Sequence, residues 1–237
     1  MLHQKAPVWI MLGGMLLTCS AGCINAVGFL GLHHQAITHL SGTVSLLSTD
    51  LARGDSVSAV RAFLVVLCFF LGCVISGFII RQNTLKLGRR YGGALALESF
   101  LLFAAAHFFN HGLFAGDCLA SMACGLQNAM ATSYSGAVIR TTHMTGIITD
   151  LGIAAGHLLH GQSVDSRRLR LYAALLFGFF IGGLIGAFGF IHIGYNTLFF
   201  PAALSGLAGI GYTAFRTYDR YKRKRQAGGA PLLRIIF

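Results

Sequence analysis

Two short stretches of the chain carry the residues best suited to chemistry. Thr38-His39-Leu40-Ser41-Gly42 and Thr142-His143-Met144-Thr145-Gly146 each set a histidine near a hydroxyl and a glycine, in the same order. An imidazole titrates near neutrality, so it can relay a proton or hold a solute by a hydrogen bond. A glycine beside it lets backbone groups approach a ligand. The plainer role for either histidine is a bond to a backbone carbonyl that ties down a broken helix. Within residues 36–52, Thr38, Ser41, Ser45 and Ser48 recur every three or four positions, which makes one polar face if the segment is helical. Thr142, Thr145 and Thr149 do the same within 142–159. Hydroxyls on such a face also simply join helices in lipid, a reading of equal weight.

Asn25 and Asn128 close the helix that precedes each stretch. A buried amide must find partners, and capping the neighbouring segment is favoured slightly over contact with a solute. Glu98 is the one acidic residue well inside a long apolar run. An intramembrane carboxylate points to function because it is expensive to keep there, although a structural ion pair or a hydrogen-bonded acid accounts for it equally well. Asp150 falls opposite Leu46 rather than Asp50 when the two stretches are aligned, which weakens a mechanism built on paired carboxylates. His107 with His111, and His157 with His160, offer two ligands each and no closed metal site. No phosphate-binding loop, dinucleotide fingerprint or nucleophile elbow is legible, so no catalytic residue, metal or cofactor is assigned and the chain reads as a non-enzyme.

Composition says what must position these residues. Of 237 residues, 55% are hydrophobic and 11% charged, against roughly 25% charged in an ordinary globular domain. A water-soluble fold could not cover its surface with so few charges. Lipid is therefore the main solvent. The net charge of +11 is spread over clusters that flank apolar runs: Arg81 to Arg90, Arg167 to Arg170, and Arg216 to Arg225. That is the placement of cytoplasmic loops, with no soluble basic domain to bind nucleic acid. The six cysteines lie in or beside apolar runs without C-x-x-C pairs and read as small buried hydrophobes. Lys5, the apolar run after it and Ser20-Ala21-Gly22-Cys23 imitate a cleaved signal. Retention is expected instead, because residues 22–26 recur later in the chain.

Six runs are long enough to cross roughly 30 Å of hydrocarbon: 8–29, 60–80, 91–109, 118–134, 171–193 and 196–215. The polar stretches 36–52 and 142–159 are shorter. Gly22-Cys23-Ile24-Asn25-Ala26 matches Gly125-Leu126-Gln127-Asn128-Ala129, and the Thr-His stretches follow at nearly the same offset. Two units emerge, 8–109 and 118–215, within one membrane domain of 237 residues that ends in a basic tail over 216–237. If all eight segments crossed, loop 81–90 would face outward and break the positive-inside rule. If 36–52 and 142–159 instead enter and leave on one side, both termini, loop 81–90, Arg140 and Arg167 to Arg170 share the cytoplasmic face. The predicted fold is therefore all-α: six transmembrane helices, two short re-entrant or broken helices, and two inverted repeats. Such plans recur in transporters, with a site at the repeat interface.

These residues resemble the YoaK family, bacterial multi-pass membrane proteins known mainly as a domain of unknown function. The likeness runs over about residues 8–215 and is strongest at Gly125-Leu126-Gln127-Asn128-Ala129 and Thr142-His143-Met144-Thr145-Gly146. The family usually has Asp where this chain has Asn25, and Met-Thr-Gly-Asn in place of Leu40-Ser41-Gly42-Thr43, so no titrating group carries over to position 25. The resemblance implies a bacterial cytoplasmic-membrane protein and names no substrate. The expected function is a small transporter or channel-like protein, its site between the two polar stretches, for a small polar or anionic solute drawn to half-helix N-termini. A scaffold or sensor that binds lipid or a protein partner is the alternative. Its mark would be an inter-unit face packed solid. Partners expected are the bilayer and such a solute, with no nucleic acid; an oligomer is compatible.

Overall fold

The computed structural model describes residues 8–35, 37–80, 91–135 and 139–228. Among them every regular element is a helix: α1 (Val8–Leu30), α2 (Leu40–Arg53), α3 (Ser56–Ile79), α4 (Tyr91–Asn110), α5 (Ala115–Ser135), α6 (Met144–Leu159), α7 (Ser166–Ile193), a 3-10 turn (Gly194–Leu198) and α8 (Phe199–Gly228). Loop 81–90 and residues 229–237, where several of the cations fall, lie outside the described residues.

Helices α3 and α7 begin four or five residues before the apolar runs that announced them. Apolarity marks what sits in hydrocarbon, whereas a helix extends for as long as its end groups are satisfied. The Asp55 carboxylate accepts from the Ser58 amide at 3.1 Å, and Asp165 accepts from Arg167 at 3.0 Å. The Ser58 amide bond above all holds the Asp55 carboxyl below its ordinary range. Gly54, at φ +75°, ends α2 in a left-handed turn that a side chain would strain.

Four stretches are long and apolar enough to cross a membrane: Met11–Leu30, Ser56–Ile79, Tyr91–Asn110 and Ser166–Tyr218, the last holding both α7 and most of α8. Outward-facing Phe63, Phe70, Phe78, Phe180, Phe188 and Ile210 give these helices an apolar coat suited to lipid. Helix α5, expected to span over 118–134, is not among the four. It lies inside the bundle, with Ala120, Ser121, Ala123, Cys124, Leu126 and Gln127 all buried. A helix shielded from lipid by its neighbours can carry polar residues that an outer helix cannot.

Packing directions follow from contacts. Helix α1 runs parallel to α7: Gly14 meets Leu175, Met15 meets Gly178, Cys19 meets Gly182 and Cys23 meets Gly186. Helix α5 likewise runs parallel to α3, with the Ser121 hydroxyl donating to the Val65 carbonyl at 2.8 Å and Gly125 against Phe69. A Cβ on Gly182 would collide with the Cys19 carbonyl, and one on Gly125 with that of Phe69. Glycine lets these backbones touch where lipid offers no hydrophobic force to join them. Helix α4 is antiparallel to α8, with Gly92 beside Thr213 and Ser99 beside Gly206. It is also antiparallel to α5, with Phe109 against Gly116.

The bundle therefore has two ends. The upper end gathers the C-terminus of α1 (the Leu32 amide donates to Tyr195 Oη, 2.6 Å), that of α4 (Asn110 donates to Asn196, 2.8 Å) and the start of α5. The start of α3 joins them, with the Arg61 guanidinium 5.8 Å above the Phe114 ring. The lower end holds the starts of α1, α4 and α7 and the close of α5, in clusters around Tyr91 with Met130 and around Ile139 with Leu171.

Candidate functional site

The two Thr-His stretches sit at opposite ends. Asn25 Oδ1 accepts the Thr38 amide at 3.2 Å near the top of α1. Asn128 Oδ1 accepts the Thr141 amide at 3.0 Å near the bottom of α5. Both bonds span thirteen residues, so Thr141, not Thr142, is the counterpart of Thr38. The extra residue before His143 hid this in the sequence alignment. Thr38 and Thr142 also lie outside the helices, which start at Leu40 and Met144. The polar face drawn through them loses its first member.

His39 and His143 are the N-cap residues of α2 and α6 and neither makes a side-chain capping bond. Each ring folds over the glycine three positions on, Gly42 and Gly146, where a Cβ would strike it. A His-x-x-Gly spacing was the readable signal for this. Ser41 Oγ and His39 Nε2 share a hydrogen bond of 3.1 Å. Ser45, Ser48, Thr49 and Thr149 donate to carbonyls one turn back in their own helices, which satisfies these hydroxyls locally. His39 lines a cleft of about 330 Å³ with Phe29, His34 and Ser45. His143, Thr145 and Asp150 line another, of about 460 Å³, with Arg140 and Tyr172. The histidines thus face two clefts rather than one.

Glu98 has a different setting. It is 0% exposed, as is Gln127. Its Oε1 accepts from Gln127 Nε2 at 2.9 Å and from Ser205 Oγ at 2.9 Å, so one carboxyl joins α4, α5 and α8. Its Oε2, and the Gln127 Oε1, have no partner among the described residues. Below this cluster opens a cavity of about 250 Å³, lined by α1, α4, α5 and α8. Leu95 and Met130 in its wall are one helical turn from Glu98 and Gln127, and Ser205 belongs to both cavity and cluster. Above the cluster Ile24, Leu102, Ala105, Ala123 and Leu198 fill the core. The cavity is closed at the top, and its exposed lining residues are Leu16 and Ala208, on the flank between α1 and α8. Its cause is an inequality: α4 lies against α5 along its length, whereas α8 meets α1 at few points.

A second buried pair went unread in the sequence. His33 Nδ1 donates to Asp117 Oδ2 at 2.8 Å, with side chains 10% and 2% exposed, and the imidazole meets Phe114 edge-on. The pair ties the end of α1 to the first turn of α5. Residues 84 positions apart with no mate in the other unit gave no pattern to find.

No solved structure matches the chain. It is 28% identical over 142 residues to the UPF0700 transmembrane protein YoaK of Bacillus subtilis (strain 168), across 57% of this chain and 63% of that one. The match thus spans just under two thirds of the relative's length. Over residues 13–211 the sequence fits the family described as Protein of unknown function (DUF1275), and the chain belongs to that family of transmembrane proteins.

Proposed function

We propose that the protein is a small-solute transporter of the bacterial cytoplasmic membrane, with no catalytic step, working through the seam between two inverted units. The observation that carries this is the seam cavity: it occupies the lower half of the seam as far as Ser205, which hydrogen-bonds a fully buried acid, with packed core beyond. A cavity in one half of such a seam and packed core in the other fit one state of an alternating-access cycle. A scaffold would have its inter-unit face packed throughout, and here a cavity interrupts it between α1, α4, α5 and α8.

Six crossings and two re-entrant helices are supported by the packing. The pairs α1 with α7 and α5 with α3 are parallel and each is joined through glycine. Asn25 and Asn128 hold equivalent amides at opposite ends of the bundle. Helix α2 begins beside the top of α1 and turns into the top of α3, while α6 does the same below. Arg140 and Arg167 to Arg170 then share the lower end with the start of α1 and the end of α8, and the positive-inside rule assigns that end to the cytoplasm.

Flux tests the reading. Purified protein in liposomes, screened against solutes under imposed ion and pH gradients, should move at least one. That flux should fall at least tenfold in Gly13→Leu, because Gly13 lines the cavity and a Cβ there meets nothing within 4 Å. Folded protein that moves nothing, or a flux indifferent to that substitution, overturns the proposal.

A further inference from the structure

The walls of the seam cavity and the groups at its closed end ask for different things. Its lining is almost wholly apolar: Leu17, Leu95, Met130, Ile139 and Leu204. An apolar cavity of about 150 Å³ takes benzene, so about 250 Å³ admits a bicyclic body. At the closed end, behind the lining Ser205, two acceptors are unmet. Gln127 and Ser205 each donate to the same oxygen of Glu98. Glu98 Oε2 and Gln127 Oε1 are left over, and so is the hydroxyl of Ser20, itself 0% exposed and part of the cavity lining. Unfilled buried acceptors are costly, and an acid that ionises among them would repel an anion. An ammonium brings three donors and the matching charge in one group. The way in is sideways: Leu16, 53% exposed, and the exposed Ala208 flank the gap between α1 and α8.

We propose that this cavity binds a small lipophilic amine that enters from the bilayer between α1 and α8, its ammonium held by Glu98 and Gln127 and its apolar body by the walls below. This replaces the small polar or anionic solute expected from sequence. It deepens the transporter reading and rests on it for its purpose, but binding is measured without flux, so the two can fail separately.

The test is equilibrium binding of tritiated 1-naphthylmethylamine to the full chain in phosphatidylcholine nanodiscs, with empty nanodiscs subtracted for partition. Saturable binding is expected, with 1-naphthalenemethanol competing at least tenfold more weakly. Glu98→Gln should weaken the amine at least tenfold and leave the alcohol unchanged. Gly13→Leu should remove amine binding with no loss of thermal stability, which keeps the proposal exposed even if the Glu98 variant fails to fold. The proposal falls if the alcohol matches the amine, the result expected of a pocket for lipid acyl chains. It falls equally if folded Glu98→Gln or Gly13→Leu binds as wild type does, or if wild type shows no saturable site. Binding without any flux removes transport and keeps the site; flux of other solutes without amine binding does the reverse.

Discussion

Replacing Glu98 by leucine should destabilise the protein more than replacing it by glutamine, and the structure sets the size of the difference. Glutamine keeps an oxygen that can take both bonds now made to Oε1, from Gln127 and Ser205. Leucine removes that acceptor and strands two donors in a site with 0% exposure. A buried unmet donor costs about 1–3 kcal/mol in a soluble protein. In membrane bundles an interhelical hydrogen bond averages about 0.6 kcal/mol and reaches about 1.7, because the unfolded chain in lipid also finds partners. Two such losses put the leucine variant about 1–3 kcal/mol below the glutamine variant. Adding Gln127→Leu and Ser205→Ala to Glu98→Leu removes the stranded donors and should recover most of the loss, since wholly apolar replacements of a polar cluster are often neutral. Equilibrium denaturation in mixed micelles, scored by loss of helix signal, reads all three. Equal stability of the leucine and glutamine variants, or a triple variant no better than Glu98→Leu, would refute the assignment of those two bonds.

Three further outcomes are expected. Gly125→Val and Gly182→Val each force apart backbones now in contact and should lose about 1–3 kcal/mol. Gly77→Ala, with open space at its Cβ, should instead gain up to about 1 kcal/mol of helix propensity; the same denaturation assay measures these. His33→Ala leaves the buried Asp117 carboxylate without its partner and should cost about 1–3 kcal/mol, recovered in part by adding Asp117→Asn. Single cysteines at Leu113 and Ser163, in a cysteine-less background, should react with a membrane-impermeant maleimide from opposite faces of the cell membrane. Labelling of both from one face would remove the six-crossing topology.

The membrane setting and the all-helical class were legible in the sequence, because lipid demands them of composition. With 11% charged residues there is no other solvent for the chain, and in hydrocarbon a backbone must satisfy itself. The two Asn-bearing helices, and the prominence of Glu98, came from residue identity and spacing as well. What identity could not supply was distance between segments. The sequence paired Thr38 with Thr142, and hydrogen bonding pairs it with Thr141, because an inserted residue shifts a string without shifting a fold. It looked for a site where hydroxyls and histidines were densest. The hydroxyls satisfy their own helices, and the histidines line separate clefts at opposite ends of the bundle. The seam cavity depends instead on how closely α8 approaches α1 compared with α4 and α5, and the His33 bond to Asp117 on residues far apart in the chain. Local chemistry is written residue by residue; whether two helices touch or leave room for a ligand is decided only when every other helix has packed.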